Sequence, residues 1–339
     1  MRVAVITTRT ASGEVGGAER FFDALRDSFR AIGHEADEIA VTVDESNFEQ
    51  IKRSYLKCYD LDLSAYDMVV STKAPTWMVR HERHVSYLVH TIRVFYDMFE
   101  DVFPSPAPSL LAERELVHRL DTGALAFPRC RALFTIGEEV SRRLREYNGL
   151  ESKVLHPPLW SDVFKTGKTG DYLFLPGRLH PWKRVDLAIR AMRHVKAPIR
   201  LLISGTGEAE SELRALAAGD PRIEFLGRVS DEDLTRLYSD ALGVMFVPKR
   251  EDYGYVTLEA FASGKPVVTC ADSGEAAALV VDGSSGMVTQ PDERDLASAI
   301  ERLAASPQMA SSMGAVGEQW VRTLSWPAIA RQLVEAAMK

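Results

Sequence analysis

Short β-branched runs alternate along the chain with longer stretches whose apolar residues recur at helical spacing. Val3–Thr7 is strand-like, and Ala18–Ala31 carries Phe21, Phe22, Leu25 and Phe29 on one helical face, with Gly33 in the place of a helix stop. Further apolar runs at Met68–Ser71, Val85–Val89, Ala132–Ile136 and Lys153–Leu155 read as strands. Arg142–Tyr147 reads as the end of a helix that closes on Asn148-Gly149. A polar, glycine-containing stretch, Ser161–Gly170, separates this series from a second one. There the pattern predicts strands over 171–175, 199–204, 223–226, 242–247 and 266–269. Helices are expected between and after them, over 185–195, 208–218, 231–239, 255–263 and 292–304. A last helix, Ile329–Met338, follows Pro327.

Strands that alternate with helices imply parallel sheets covered on both faces. Two such series predict an α/β protein of two Rossmann-like, doubly wound domains facing a central cleft. The boundaries expected are 1–163 for an N-terminal acceptor-binding domain and 164–320 for a C-terminal donor-binding domain. Residues 321–339 form a terminal helix that could pack back on the first domain. Ligands in this class bind beyond the carboxyl ends of the strands.

The length of 339 residues suits two ordinary domains, and the charged fraction of 26% is that of a globular protein. A formal net charge of −7 disfavours nucleic acid as a partner. Cys58, Cys130 and Cys270 are odd in number and widely spaced, which fits no disulfide framework and no zinc site. With no apolar run of membrane-spanning length and no signal-like N-terminus, a cytoplasmic protein is expected. Peripheral membrane contact and oligomeric state are left open.

Four stretches carry candidate chemistry. In ASGEVGGAERFF, Gly16 and Gly17 sit where a loop enters a helix, where backbone N–H groups can approach an anion; a plain flexible turn would look the same. GRLHPWKRVDL follows a predicted strand and places Arg178 and Lys183 in one loop. A fork-shaped cation and a point-like one suit a diphosphate, as they also suit a solvated basic loop. KREDYGYVTLEAFASGKPVV holds Glu251 before a predicted helix start and Glu259 about one turn inside an otherwise apolar helix. The helix entrance carries positive potential for phosphate, and carboxylates accept hydrogen bonds from sugar hydroxyls. The competing account pairs Glu259 with a cation inside the protein, because a lone buried carboxylate is costly. Lastly, His90 ends an apolar strand in SYLVHTIRVFYD and could donate a hydrogen bond or move a proton, or be an ordinary core histidine. His81-x-x-His84 lacks a third metal ligand and reads as surface, and no metal is expected. ISGTGE, with Gly205 and Gly207, is a weak match to a dinucleotide fingerprint.

Taken together these residues resemble the retaining glycosyltransferases of the two-Rossmann-domain (GT-B) type, family 4. GGAE, ALFTIGEEVSRRLREYNGLESKVLHPPL, GRLHPWKRVDLAI and EDYGYVTLE with its Glu-x7-Glu spacing occur in the family's order over nearly the whole chain. The resemblance implies that Arg178 and Lys183 bind the donor diphosphate, Glu251 the transferred sugar and Glu259 the nucleotide ribose. It implies that Tyr253, Gly254, Tyr255, Val256 and Thr257 line the phosphates, and that Gly16 and Gly17 approach them from the other domain. Base contacts would come from Arg228 and Val229, and His90 would sit near the sugar. HTIRVFYD is similar to a segment of mannosyltransferase-like members, with Ile92 in place of a proline, and leans the donor toward a GDP-mannose type.

The activity so implied is transfer of a hexose from a nucleoside-diphosphate sugar to an acceptor hydroxyl, with retention, in polysaccharide biosynthesis or on a small molecule. The nucleotide sugar is then a co-substrate, with a small-molecule or glycan acceptor, and no further cofactor is expected. A glycosidase using Glu251 and Glu259 as acid and base is disfavoured by the cations. A nucleotide-sugar binder without transfer activity and a nucleotide-sugar epimerase are the alternatives.

Overall fold

The computed structural model describes residues 1–10 and 17–339, so Gly16 lies outside the described residues. The chain divides into two compact units, Met1–Trp160 with Ser325–Lys339, and Ser161–Leu324. Each is built on a six-stranded, all-parallel sheet.

In the first unit the strands are β1 (Arg2–Thr10), β2 (Glu35–Val43), β3 (Met68–Lys73), β4 (His84–His90), β5 (Ala132–Thr135) and β6 (Lys153–Val154), in the spatial order β2-β1-β3-β4-β5-β6. Val3, Val5, Val70, Val85 and Leu88 are fully buried, as expected for parallel strands covered on both faces. The helix Gly17–Ala31 follows β1 directly, with Gly17 as its first residue. The terminal helix Trp326–Met338 belongs to this unit: the Trp326 ring meets that of Phe21 at 5.3 Å and its Nε1 donates to the Leu159 carbonyl at 3.3 Å. Ser325 caps it, and Pro327 occupies the first turn, where a missing N–H costs nothing.

Trp77, Phe95, Tyr96 and Phe99 are core residues in this unit. Trp77 Nε1 and the hydroxyls of Tyr55 and Tyr96 all donate to the buried carboxylate of Asp121, at 2.7–2.8 Å. Even with three donors, burial pushes Asp121 up to about 6. The HERH histidines are a correction to the surface reading. His84 is fully buried, shares a 2.8 Å hydrogen bond with Ser71 Oγ and donates from Nδ1 to the Arg129 carbonyl, whereas half-buried His81 contacts the Tyr66 carbonyl. Each ring serves a different loop.

The second unit holds β7 (Tyr172–Pro176), β8 (Arg200–Ser204), β9 (Ile223–Gly227), β10 (Gly243–Met245), β11 (Val267–Cys270) and β12 (Gly286–Thr289), in the order β12-β11-β10-β7-β8-β9. The order reverses direction between β7 and β10, which are paired. That is a topological switch point, and the loops that leave the carboxyl ends there are where such sheets bind ligands. Gly205 and Gly207, the weak dinucleotide match, serve packing. A Cβ on Gly205 would lie 1.9 Å from the Gly177 carbonyl oxygen, and one on Gly207 2.3 Å from that of Leu179. The glycines let this loop lie directly against the backbone of the loop after β7.

Candidate active site

Three loops at the carboxyl ends of β7, β10 and β11 carry the charged residues of the second unit's site. The first runs from Gly177 through the short 3-10 turn Pro181–Lys183 to the helix Val185–Met192. Arg178 is exposed on it. Lys183 Nζ lies 2.6 Å from Glu251 Oε2, on the second loop, with the two side chains 29% and 21% exposed. The same ammonium stands 5.4 Å from the centre of the Phe246 ring, an attractive cation–π placement. The two strongest sequence candidates, 68 positions apart, are therefore in direct contact.

Phe246 also sets the backbone of the second loop. Gly254 has φ +77°, and a Cβ there would come 2.6 Å from Phe246 Cε1. Both the left-handed conformation and the ring require glycine at this position. Gly254 then caps the helix Tyr255–Ala262. The Thr257 N–H closes the first turn onto the Gly254 carbonyl at 2.9 Å. The Thr257 Oγ1 is buried and has no hydrogen-bond partner among the described residues. Tyr253 is buried, and its ring meets that of half-buried Tyr255 edge-on at 5.1 Å. Val256 is half-buried beside it.

Glu259 is 8% exposed, within a helix whose residues 257–261 are all buried. The Tyr238 hydroxyl donates to Glu259 Oε2 at 2.5 Å. The Tyr238 ring is itself fixed edge-on against Phe174 at 5.0 Å and Phe164 at 5.4 Å. Burial, reinforced by the Glu259 charge, holds the Tyr238 hydroxyl well above its ordinary value, so it stays a donor. Burial and the same carboxylate raise Tyr255 too. A charge-assisted hydrogen bond from a phenol thus accompanies the buried carboxylate. Tyr238, on the helix Asp231–Asp240, had no signal in the sequence beyond an aromatic at a core spacing.

The remaining candidates are spread more widely. Arg228 is exposed and Val229 half-buried, on the loop after the edge strand β9, with β8 and β7 between them and β10. His90 is the last residue of β4 in the first unit, half-buried, with Nδ1 donating to the Thr91 carbonyl at 2.6 Å. Arg93 and Asp97 of HTIRVFYD are paired at 2.6 Å, and Arg143 Nε reaches Asp97 at 2.9 Å. Asp97 and Arg143 are fully buried, so these charges form part of the first unit's structural frame. His180, beside Arg178, is lowered by burial, with Glu208 opposing the shift. Among the described residues there is no group of three or more His, Cys, Asp or Glu side chains placed to hold a metal ion.

Solved structures place this fold. The chain superposes on sucrose-phosphate synthase from Thermosynechococcus elongatus with a TM-score of 0.75 at 19% identity, over 98% of this chain and 97% of that one. It superposes on HepE from Anabaena, solved with UDP and glucose, with a TM-score of 0.73 at 15% identity, over 98% of both chains. The architecture is that of the two-Rossmann-domain (GT-B) proteins. Residues 170–306, most of the second unit, match the family described as glycosyl transferases group 1. In sequence the chain is 27% identical over 289 residues to a D-inositol 3-phosphate glycosyltransferase of Nocardioides sp., a match over 73% of this chain and 61% of the relative. The chain therefore spans less than two thirds of that relative's length. It is also 28% identical over 161 residues to a D-rhamnosyltransferase of Pseudomonas aeruginosa, over 46% of this chain and 42% of that one.

Proposed function

We propose that the protein is a retaining glycosyltransferase of family 4 that moves a hexose from a nucleoside-diphosphate sugar to an acceptor hydroxyl. The observation that carries this reading is the Lys183–Glu251 contact of 2.6 Å beside the entrance of the helix that holds Glu259. A cation, a helix N-terminus and two carboxylates stand together at a switch point of a parallel sheet. That set matches the parts of a nucleotide sugar: phosphates for the cation and the helix, hydroxyls for the carboxylates.

In this reading the anomeric C–O bond breaks while negative charge grows on the departing diphosphate. Arg178, Lys183 and the helix entrance stabilise that charge more in the transition state than in the ground state. The buried Thr257 hydroxyl, with unmet hydrogen-bonding capacity, is a further donor at the same entrance. Glu251 accepts hydrogen bonds from the transferred sugar. Glu259, oriented by Tyr238, accepts them from the ribose. The resemblance further assigns His90, Gly16 and Gly17 to the sugar and diphosphate, and Arg228 and Val229 to the base.

The lean toward a GDP-mannose-type donor rests on HTIRVFYD alone, whose Arg93 is paired with Asp97 at 2.6 Å. The donor is therefore assigned by experiment. Thermal shift of the purified chain with GDP, UDP, ADP and dTDP should give one dominant response, through ligand linkage. Absence of any response at millimolar nucleotide would contradict a donor site here.

A further inference from the structure

Arg184 stands beside the proposed donor-binding lysine and was not among the residues singled out by sequence. Among the described residues it is one of two non-glycine residues in the left-handed region, with φ 49° and ψ 40°. Such backbone persists only where the surroundings over-determine it. Here the determinant is the side chain. The guanidinium donates from Nε to the Val247 carbonyl at 2.8 Å and from Nη2 to the Pro248 carbonyl at 2.7 Å. It grips Asp272 with both forks at 2.7 Å, and Ser273 Oγ lies 3.3 Å away. One side chain therefore joins the loops that leave β7, β10 and β11.

The backbone around it follows the same seam. The Lys249 N–H donates to the Trp182 carbonyl at 2.7 Å, Arg250 N–H to that of Asp272 at 2.9 Å and Glu251 N–H to that of Ser273 at 3.0 Å. Asp272 thus holds Arg184 with its carboxylate and Arg250 with its carbonyl. Arg250, at φ 51°, is likewise in the left-handed region. Gly274 completes the seam: a Cβ there would lie 2.5 Å from the Glu251 carbonyl oxygen. The neighbours in sequence of these anchored residues are Lys183 on one side and Glu251 on the other.

We propose that Arg184 is a positioning residue for the donor site: with Asp272 it clamps the Lys183 loop to the Glu251 loop and so fixes where the lysine ammonium stands. The inference rests on the donor-site reading above and extends it to a pair that touches no substrate. The geometry demands arginine, because a lysine supplies the same charge without a planar fork for one carboxylate and two carbonyls.

The test uses the full chain and titration calorimetry with UDP and GDP, following whichever binds. Arg184→Lys keeps the charge, so a purely electrostatic role predicts wild-type binding. The clamp predicts a loss of about tenfold or more, the usual size for removing an outer support of a ligand-binding group. Lys183→Ala should also weaken binding, and in the Arg184→Lys background it should add less than about twofold, because the lysine is already misplaced. A merely structural arginine would lower the melting temperature and leave the two effects additive. Asp272→Asn, which retains the carbonyl contacts of Arg184, gives the same readout if Arg184→Lys does not fold, with an expected loss of about threefold or more. Binding by Arg184→Lys within about twofold of wild type, or additive effects, overturns the clamp while leaving the donor site intact. Wild-type binding by Lys183→Ala overturns the donor-site reading, and the clamp with it.

Discussion

Glu251→Gln should bind free nucleoside diphosphate more tightly than the wild type while losing transfer activity. Glu251 occupies the lysine proposed to bind the diphosphate, at 2.6 Å. At that separation the bare attraction of two unit charges is about 6 kcal/mol for an effective dielectric of about 20. Desolvation and side-chain ordering offset most of it. For side chains 29% and 21% exposed, a net value of about 1–2 kcal/mol is reasonable. Glutamine preserves the shape and removes the competing charge, so binding should tighten about 5- to 30-fold. The gain should shrink as salt is raised, because the competing ion pair is screened. Calorimetry with UDP and GDP at two ionic strengths reads both effects. Turnover should fall, since the carboxylate proposed to accept the sugar hydroxyls is gone. Unchanged or weaker diphosphate binding in Glu251→Gln would refute the view that the pair is a self-occupied phosphate site.

Two other consequences concern the frame. Gly254→Ala forces a side chain into φ +77° and to 2.6 Å from Phe246, and should cost about 1–3 kcal/mol in denaturant unfolding together with most nucleotide binding; a variant of wild-type stability and affinity would show that this turn is adaptable. His84 makes the first unit acid-sensitive: burial lowers it from 6.5 to about 4, against its hydrogen bond to the Arg129 carbonyl, which raises it. Its stabilising effect is complete above pH 6.5 and is lost as pH falls through about 4, a change of about 3 kcal/mol. Asp121, raised from 3.8 to about 6, acts in the opposite sense, because the native state takes its proton first as pH falls. Unfolding free energies of the wild type and His84→Gln between pH 7 and pH 4 should therefore diverge most near neutrality and converge in acid; parallel curves would remove His84 from the account.

Much of the fold was legible because parallel strands in these sheets are short, apolar and spaced by amphipathic helices. The elements that escaped lack that signature. β2, EADEIAVTV, carries three carboxylates because it is an edge strand that buries only Ala36, Val41 and Val43. The helix Pro108–Leu125 buries only four residues, one of them Asp121, so it presents no apolar stripe. The helix Pro307–Val321 contains Gly314 and Gly317, which usually argue against helix. A Cβ on the first would lie 1.9 Å from the Gly264 carbonyl oxygen, and on the second 2.3 Å from the Phe261 ring. Those glycines are there for close packing against the helix that bears Glu259. In the site, Lys183 and Glu251 were readable from local motifs. Their direct pairing was not, because a contact between positions 68 apart leaves no local trace. The same holds for Tyr238 against Glu259 and for Arg184 against Asp272, 88 positions away. The lone glutamate in an apolar helix was a sound signal of a partner. One partner is the buried Tyr238 hydroxyl, which donates to it.

Lys183 and Glu259 as parts of a sugar-transfer site are tested most directly by release of free nucleoside diphosphate from a panel of GDP-, UDP-, ADP- and dTDP-sugars by the purified chain, with and without candidate acceptors. Turnover of one donor class by the wild type is expected, with loss of most of it in folded Lys183→Ala and Glu259→Ala. Undiminished turnover in the folded double variant would contradict that assignment.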